Sequence, residues 1–99
     1  MTTLKLLTII TEALVAKRLI TDLEGFHVSG YTISEVEGKG SSNLSASDWE
    51  GRNKKIEILL SNELAERILE HVQNEYFENY SVVAYLKDVQ VIRSEKFTA

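Results

Sequence analysis

The sequence predicts an α+β domain in which two helices lie on one face of an antiparallel sheet. Three observations predict it. Short runs rich in β-branched and apolar residues recur along the chain, two longer stretches repeat apolar residues at helical spacing, and their order is β-α-β-β-α-β. At 99 residues the chain has the size of a single domain, taken as 1–99.

Leu4-Lys5-Leu6-Leu7-Thr8-Ile9-Ile10 is short, apolar and partly β-branched, as a buried strand is. Thr11 is expected to cap the helix that follows, with Glu12 near its positive end. Ala13, Ala16, Ile20 and Leu23 then recur at helical spacing between polar residues, predicting an amphipathic helix that ends near Gly25. Gly30 opens a second strand, Tyr31 to Glu37, with partial alternation. From Gly38 to about Asn53 the residues are small and polar with neither period, a long connection of the kind that carries function. Lys54 to Leu60 resumes strand character. Ser61 or Asn62 can cap a second helix bearing Leu64, Ile68, Leu69, Val72 and Tyr76. Ser81 to Leu86 is a last strand, which Val89 and Val91 either extend or follow with another edge, and the final six residues read as frayed.

This order is the split β-α-β arrangement of the ferredoxin-like fold. Both faces of the strands Leu4–Ile10 and Val82–Leu86 carry apolar residues, yet two helices cover only one face of such a sheet. The other face is expected to be covered by association, and three sheets closed around an axis would bury it.

Composition narrows the function classes. An apolar fraction of 43% with 26% charged residues is that of an ordered globular chain. The absence of cysteine excludes disulfides, thiolate metal sites and cysteine nucleophiles. A net charge of −4 and a pI near 5.1 disfavour nucleic-acid phosphates, so no nucleic acid is expected. The apolar run at Leu4–Ile10 is too short for a signal peptide or a membrane span, so a cytoplasmic chain without membrane insertion is expected.

Gly38-Lys39-Gly40-Ser41 is the segment that suggests ligand chemistry. Glycines let backbone amides approach an anion, and a lysine adds full charge, although a plain flexible turn has the same composition. It lacks the order of a P-loop. His27 and His71 have no carboxylates at ligand spacing, so no metal is expected. Glu63, Glu66, Glu70 and Glu75 read as the solvated face of the second helix, with Arg67 able to pair with them. No nucleophile–base set or carboxylate pair stands out, so no catalytic residues are assigned. Trp49, in a polar loop, either packs locally or anchors a partner.

Gly30-Tyr31-Thr32-Ile33-Ser34-Glu35-Val36-Glu37-Gly38-Lys39-Gly40 resembles the second strand of the PII signalling family, which reads glycine-x-threonine-x-x-x-valine-x-glycine-x-glycine. Lys55-Ile56-Glu57-Ile58-Leu59 is similar to that family's third strand. Lys5 to Glu12, and Glu75 to Ser81 with the run to Tyr85, are closer to its PII-like branch, which includes bicarbonate-transporter regulators of SbtB type and carboxysome-associated members. The resemblance spans residues 4 to 97. It implies a homotrimer with adenine nucleotides (AMP, ADP, ATP or cyclic AMP) in the clefts between subunits, no prosthetic group, and a T-loop at about 40–53 that reports ligand state. Thr32 is then expected to face the adenine, and Glu57 and Leu59 to line the base pocket. Gly38, Lys39, Gly40 and Ser41 would cradle phosphate, Ser81 and Val82 would match the short B-loop, and Arg93 would stand in for a C-terminal phosphate-binding arginine. Asp48, Trp49 and Glu50 at the loop tip would meet the target, a bicarbonate transporter or carboxysome-related protein, with bicarbonate as a second ligand.

The departures are informative. The threonine-glycine-x-x-glycine-aspartate-glycine-lysine B-loop of true PII proteins is absent, which weakens the expectation of tight triphosphate and 2-oxoglutarate sensing. No tyrosine lies in the Gly40–Asn53 loop, so uridylylation there has no acceptor. The expected function is non-enzymatic signalling of energy and inorganic-carbon status. The alternatives are a slow adenine-nucleotide phosphohydrolase in the same cleft, or a CutA-like trimer without nucleotide.

Overall fold

The computed structural model describes residues 1–38 and 53–92, and within them the expected elements appear in the expected order. The apolar run at the N-terminus becomes β1, Thr2–Glu12, longer than its apolar part because the strand pairs on both edges. It passes directly into α1, Ala13–Gly25. Strand β2 is Thr32–Val36, β3 is Asn53–Leu60, α2 is Asn62–Tyr76 and β4 is Val82–Val91. Val89 and Val91 thus extend the last strand. The final residues expected to fray lie outside the described ones.

The four strands form one sheet in the order β2-β3-β1-β4, with every neighbouring pair antiparallel. This is the ferredoxin-like arrangement. Strand alternation sorts the side chains. Leu7, Ile9, Ile56, Ile58 and Leu60 join Val15, Ala16, Leu19 and Leu23 of α1, and Leu64, Ala65, Ile68, Val72 and Tyr76 of α2, in one core, with Val82, Ala84 and Leu86 packed against it. The intervening strand residues, including Leu6, Ile10, Leu59, Val83 and Tyr85, occupy the face without helices. Val83 and Tyr85 there are 55% and 43% exposed.

Two local expectations are corrected. Thr11 does not cap α1. It is still in β1, and its hydroxyl donates to the Ser81 carbonyl at 3.0 Å, while Glu12 occupies the cap position without a side-chain cap bond. The buried stripe of α1 is Val15, Ala16, Leu19 and Leu23, with Ala13 and Ile20 at its margins, the spacing that puts 15, 16, 19 and 23 on one helical face. Gly25 is the last helical residue, so α1 ends where expected, and the left-handed residue beyond it is His27, at φ 60°. The Phe26 and His27 amides close the helix by donating to the Leu23 and Glu24 carbonyls. On α2, Ser61 caps as expected, its hydroxyl accepting from the Leu64 amide at 3.3 Å.

Candidate functional site

Cross-strand register builds a row on the helix-free face. Thr32 of β2 faces Glu57 of β3, Glu57 faces Thr8 of β1, and Thr8 faces Tyr85 of β4. Each member can hydrogen-bond through a hydroxyl, carboxylate or phenol. Apolar pairs flank the row, Leu6 with Leu59 on one side and Ile10 with Val83 on the other. Thr32 is exposed, Glu57 and Leu59 are half-buried, and Thr8 is buried at the centre. No buried side-chain nitrogen or oxygen among the described residues lacks a partner.

A second group of candidates gathers at one end of the sheet, where β2 ends, β1 runs into α1, and β3 and β4 begin. Gly38 lies just beyond β2, exposed, and a Cβ built on it meets nothing within 4 Å, so this chain itself does not demand a glycine there. Ser81 immediately precedes β4. Val82 turns its side chain to the core, which leaves only its backbone for a ligand. Ser81 and Gly38 adjoin the opposite edge strands of the four-stranded sheet, which three spacings of about 4.8 Å hold about 14 Å apart. One chain therefore brings Thr32, Glu57 and Leu59 together but separates them from Ser81 and Val82. Lys39, Gly40, Ser41, Asp48, Trp49, Glu50 and Arg93 lie outside the described residues, as does most of the expected loop at 40–53.

Sequence reasoning missed a polar cluster between the helices. Asp22 Oδ2 accepts from the Tyr76 hydroxyl at 2.5 Å and lies 2.9 Å from His71 Nε2, which must carry the hydrogen because a carboxylate only accepts. Arg18 stands over the Tyr76 ring at 5.1 Å, and Phe26 meets His71 edge-on at 5.4 Å. Arg67, expected to pair with acidic neighbours on α2, lies over Phe26 at 5.7 Å. Burial alone pushes the Asp22 carboxyl up. The hydrogen bonds from His71 and Tyr76, with the charges of His71 and Arg18 behind them, outweigh it and hold the group below the usual carboxylate range. Burial, then the Asp22 carboxylate as acceptor and as negative charge, pushes the Tyr76 phenol well above its ordinary value. Asp22 and His71 belong to different helices, so no local spacing links them. The row member Tyr85 and the buried Thr8 were equally hidden, since only strand register aligns them with Thr32 and Glu57.

Among the described residues, no group of three or more histidine, aspartate or glutamate side chains could hold a metal ion, and no helix is long and apolar enough to cross a membrane. A family model described as nitrogen regulatory protein P-II matches residues 4–96. A crystal structure of a PII-like signalling protein from Thermus thermophilus is 44% identical, with a TM-score of 0.82 over 97% of this chain and 96% of that one. CPII from Thiomonas intermedia, solved with ADP, AMP and acetate, is 34% identical, with a TM-score of 0.83 over 98% of this chain and 96% of that one. The same protein solved with ADP and bicarbonate gives 33% identity and a TM-score of 0.82 over 97% and 95%.

Proposed function

This chain belongs to the nitrogen regulatory protein P-II family, and from that premise we propose that it is a non-enzymatic PII-like signalling protein that binds adenine nucleotides, with bicarbonate as a second ligand. The observation that carries the reading is its likeness, over nearly the whole chain, to CPII, whose structures hold ADP with AMP or bicarbonate.

The geometry supports a homotrimer with intersubunit sites. Leu6, Ile10, Leu59 and Val83 form an apolar surface that neither helix covers, and burying it against two further copies removes it from water. Thr32 and Gly38 belong to the β2 edge and Ser81 to the β4 edge, so a neighbouring copy is the natural way to bring a β2–β3 edge beside a Ser81 segment. In that cleft Thr32 faces the adenine, and its hydroxyl can both donate and accept. The Glu57 carboxylate accepts from an amine or a ribose hydroxyl, and Leu59 supplies an apolar wall. Gly38, Lys39, Gly40 and Ser41 take the phosphates, with the backbone of Ser81 and Val82 and the Arg93 side chain. The loop at about 40–53, with Asp48, Trp49 and Glu50 at its tip, carries the state of the site to a bicarbonate transporter or carboxysome-related protein.

Calorimetry with AMP, ADP, ATP and cyclic AMP, each with and without bicarbonate, tests this reading. At least one adenine nucleotide binds at micromolar to submillimolar concentration. Lys39→Ala weakens ADP and ATP roughly ten- to hundred-fold, the worth of a charge-assisted hydrogen bond, and leaves adenosine nearly unchanged. No heat with any of the four nucleotides would overturn it.

A further inference from the structure

The Ser81 segment is held from two sides. In front, the Thr11 hydroxyl, on a side chain only 2% exposed, donates to the Ser81 carbonyl across 70 positions of sequence. Behind, the Tyr80 amide donates to the Tyr76 carbonyl at 3.0 Å, and the two rings lie 5.9 Å apart. Tyr76 is itself fixed, fully buried and hydrogen-bonded through its hydroxyl to Asp22 of α1. The intervening Phe77, Glu78 and Asn79 are exposed and form a turn. A three-residue turn between two such anchors cannot drift without breaking one of them.

The hydroxyl of Thr11 is not needed to fill space. Thr11 points to the helix-covered side beside Val82, where valine has the same shape. What the oxygen adds is a directional bond to the residue that opens β4. We propose that Thr11 is a positioning residue, which with the Asp22–Tyr76–Tyr80 chain behind it sets the Ser81–Val82 backbone for the nucleotide; this rests on the reading that Ser81 and Val82 border the adenine-nucleotide cleft. Both anchors reach Ser81 from elements that carry none of the proposed ligand contacts, β1 in front and the helix pair behind. The segment is thereby built to one geometry before ligand arrives, which is how pre-organisation improves affinity.

The test compares Thr11→Val, which keeps the shape and loses the oxygen, with Thr11→Ser, which keeps the oxygen and loses a buried methyl group. ADP affinity is measured by calorimetry, amide exchange at Tyr80, Ser81 and Val82 by NMR, and melting temperature by circular dichroism, all on the full chain. Thr11→Val should bind ADP about three- to ten-fold more weakly and exchange faster at Ser81 and Val82, the scale of one lost hydrogen bond. Thr11→Ser should melt lower than the parent yet retain its ADP affinity. Affinity that follows melting temperature and ignores the hydroxyl overturns the proposal, as does parental exchange at Ser81 and Val82 in Thr11→Val. Tyr76→Phe probes the rear anchor without altering Thr11, and should quicken exchange at Tyr80 and Ser81. A parent chain that binds no ADP overturns the functional reading and with it the ligand half of this one, and the exchange rates then decide whether the anchors act at all.

Discussion

Replacing Tyr76 with phenylalanine removes one oxygen from the bond that joins the two helices. The ring stays in its buried place, so no cavity opens and the change isolates the hydroxyl. A hydrogen bond to a charged group contributes about 1.5–3 kcal/mol. Here the acceptor keeps His71 on the same oxygen at 2.9 Å, and the Asp22 side chain is 27% exposed, so water can take part of the vacated place. The expected loss is therefore about 1–2 kcal/mol, read as a shift in urea midpoint at fixed chain concentration and unchanged slope. Its pH dependence follows from the shifted groups. Asp22 has a lowered folded pKa, so its contribution is complete above the ordinary value of 3.8 and disappears as pH falls through the folded value. Tyr76 has a raised folded pKa, so its contribution is complete below the ordinary value of 10.0 and is lost as pH rises beyond it. The difference between parent and variant should be flat across neutral pH and narrow at both extremes. The remaining tyrosines are common to both proteins and cancel. A gap that persists undiminished at acid pH, or a double mutant of Asp22→Asn and Tyr76→Phe whose effects simply add, would refute the coupling.

His27→Gly should raise stability by about 1 kcal/mol, because a residue with a Cβ is strained at φ 60° and glycine is not, and a higher urea midpoint checks it. Ser61→Ala should lower stability by about 1 kcal/mol through loss of the α2 cap, whereas Ser61→Asp should retain most of it, as thermal melts will register. Val83→Glu places a charge on the apolar part of the helix-free face, at the β4 edge beside Ile10, and light scattering should find the assembly dissociated toward monomer, with nucleotide affinity lost alongside.

What could be read from the sequence was what repeats locally. The apolar spacing at Leu64, Ile68, Val72 and Tyr76 and the serine before it are sufficient for α2, and the structure agrees with each of them. Threonine before a helix is an equally good local sign, yet Thr11 has another use, because a strand paired on both sides carries it past the expected start of α1. The end of α1 falls at Gly25, as expected. The left-handed residue lies two positions further on, at His27, where the Phe26 and His27 amides close the helix onto the Leu23 and Glu24 carbonyls. Of the proposed site, Thr32, Glu57 and Leu59 follow from the family resemblance of their strands, and register sets Thr32 against Glu57. Thr8 and Tyr85 share their row for reasons that exist only across strands. The Asp22, His71 and Tyr76 cluster likewise depends on how two helices cross, which no spacing within either helix encodes.

The strand order has a consequence for how the chain reaches this structure. β1 is synthesised first, yet both of its neighbours, β3 and β4, lie in the second half of the chain, and β2 pairs with β3 alone. While only β1, α1 and β2 have emerged from the ribosome, no two of the available strands are partners, and the apolar residues of β1 have only α1 to shelter them. The sheet can zip only when β3 enters between two strands already waiting, and β4 then closes the remaining edge of β1. Such distant pairings make the search for the native state slow relative to a helical bundle of the same size. During that interval Leu4 to Ile10 is an unpaired apolar strand with two open edges, the kind of segment that pairs with other chains.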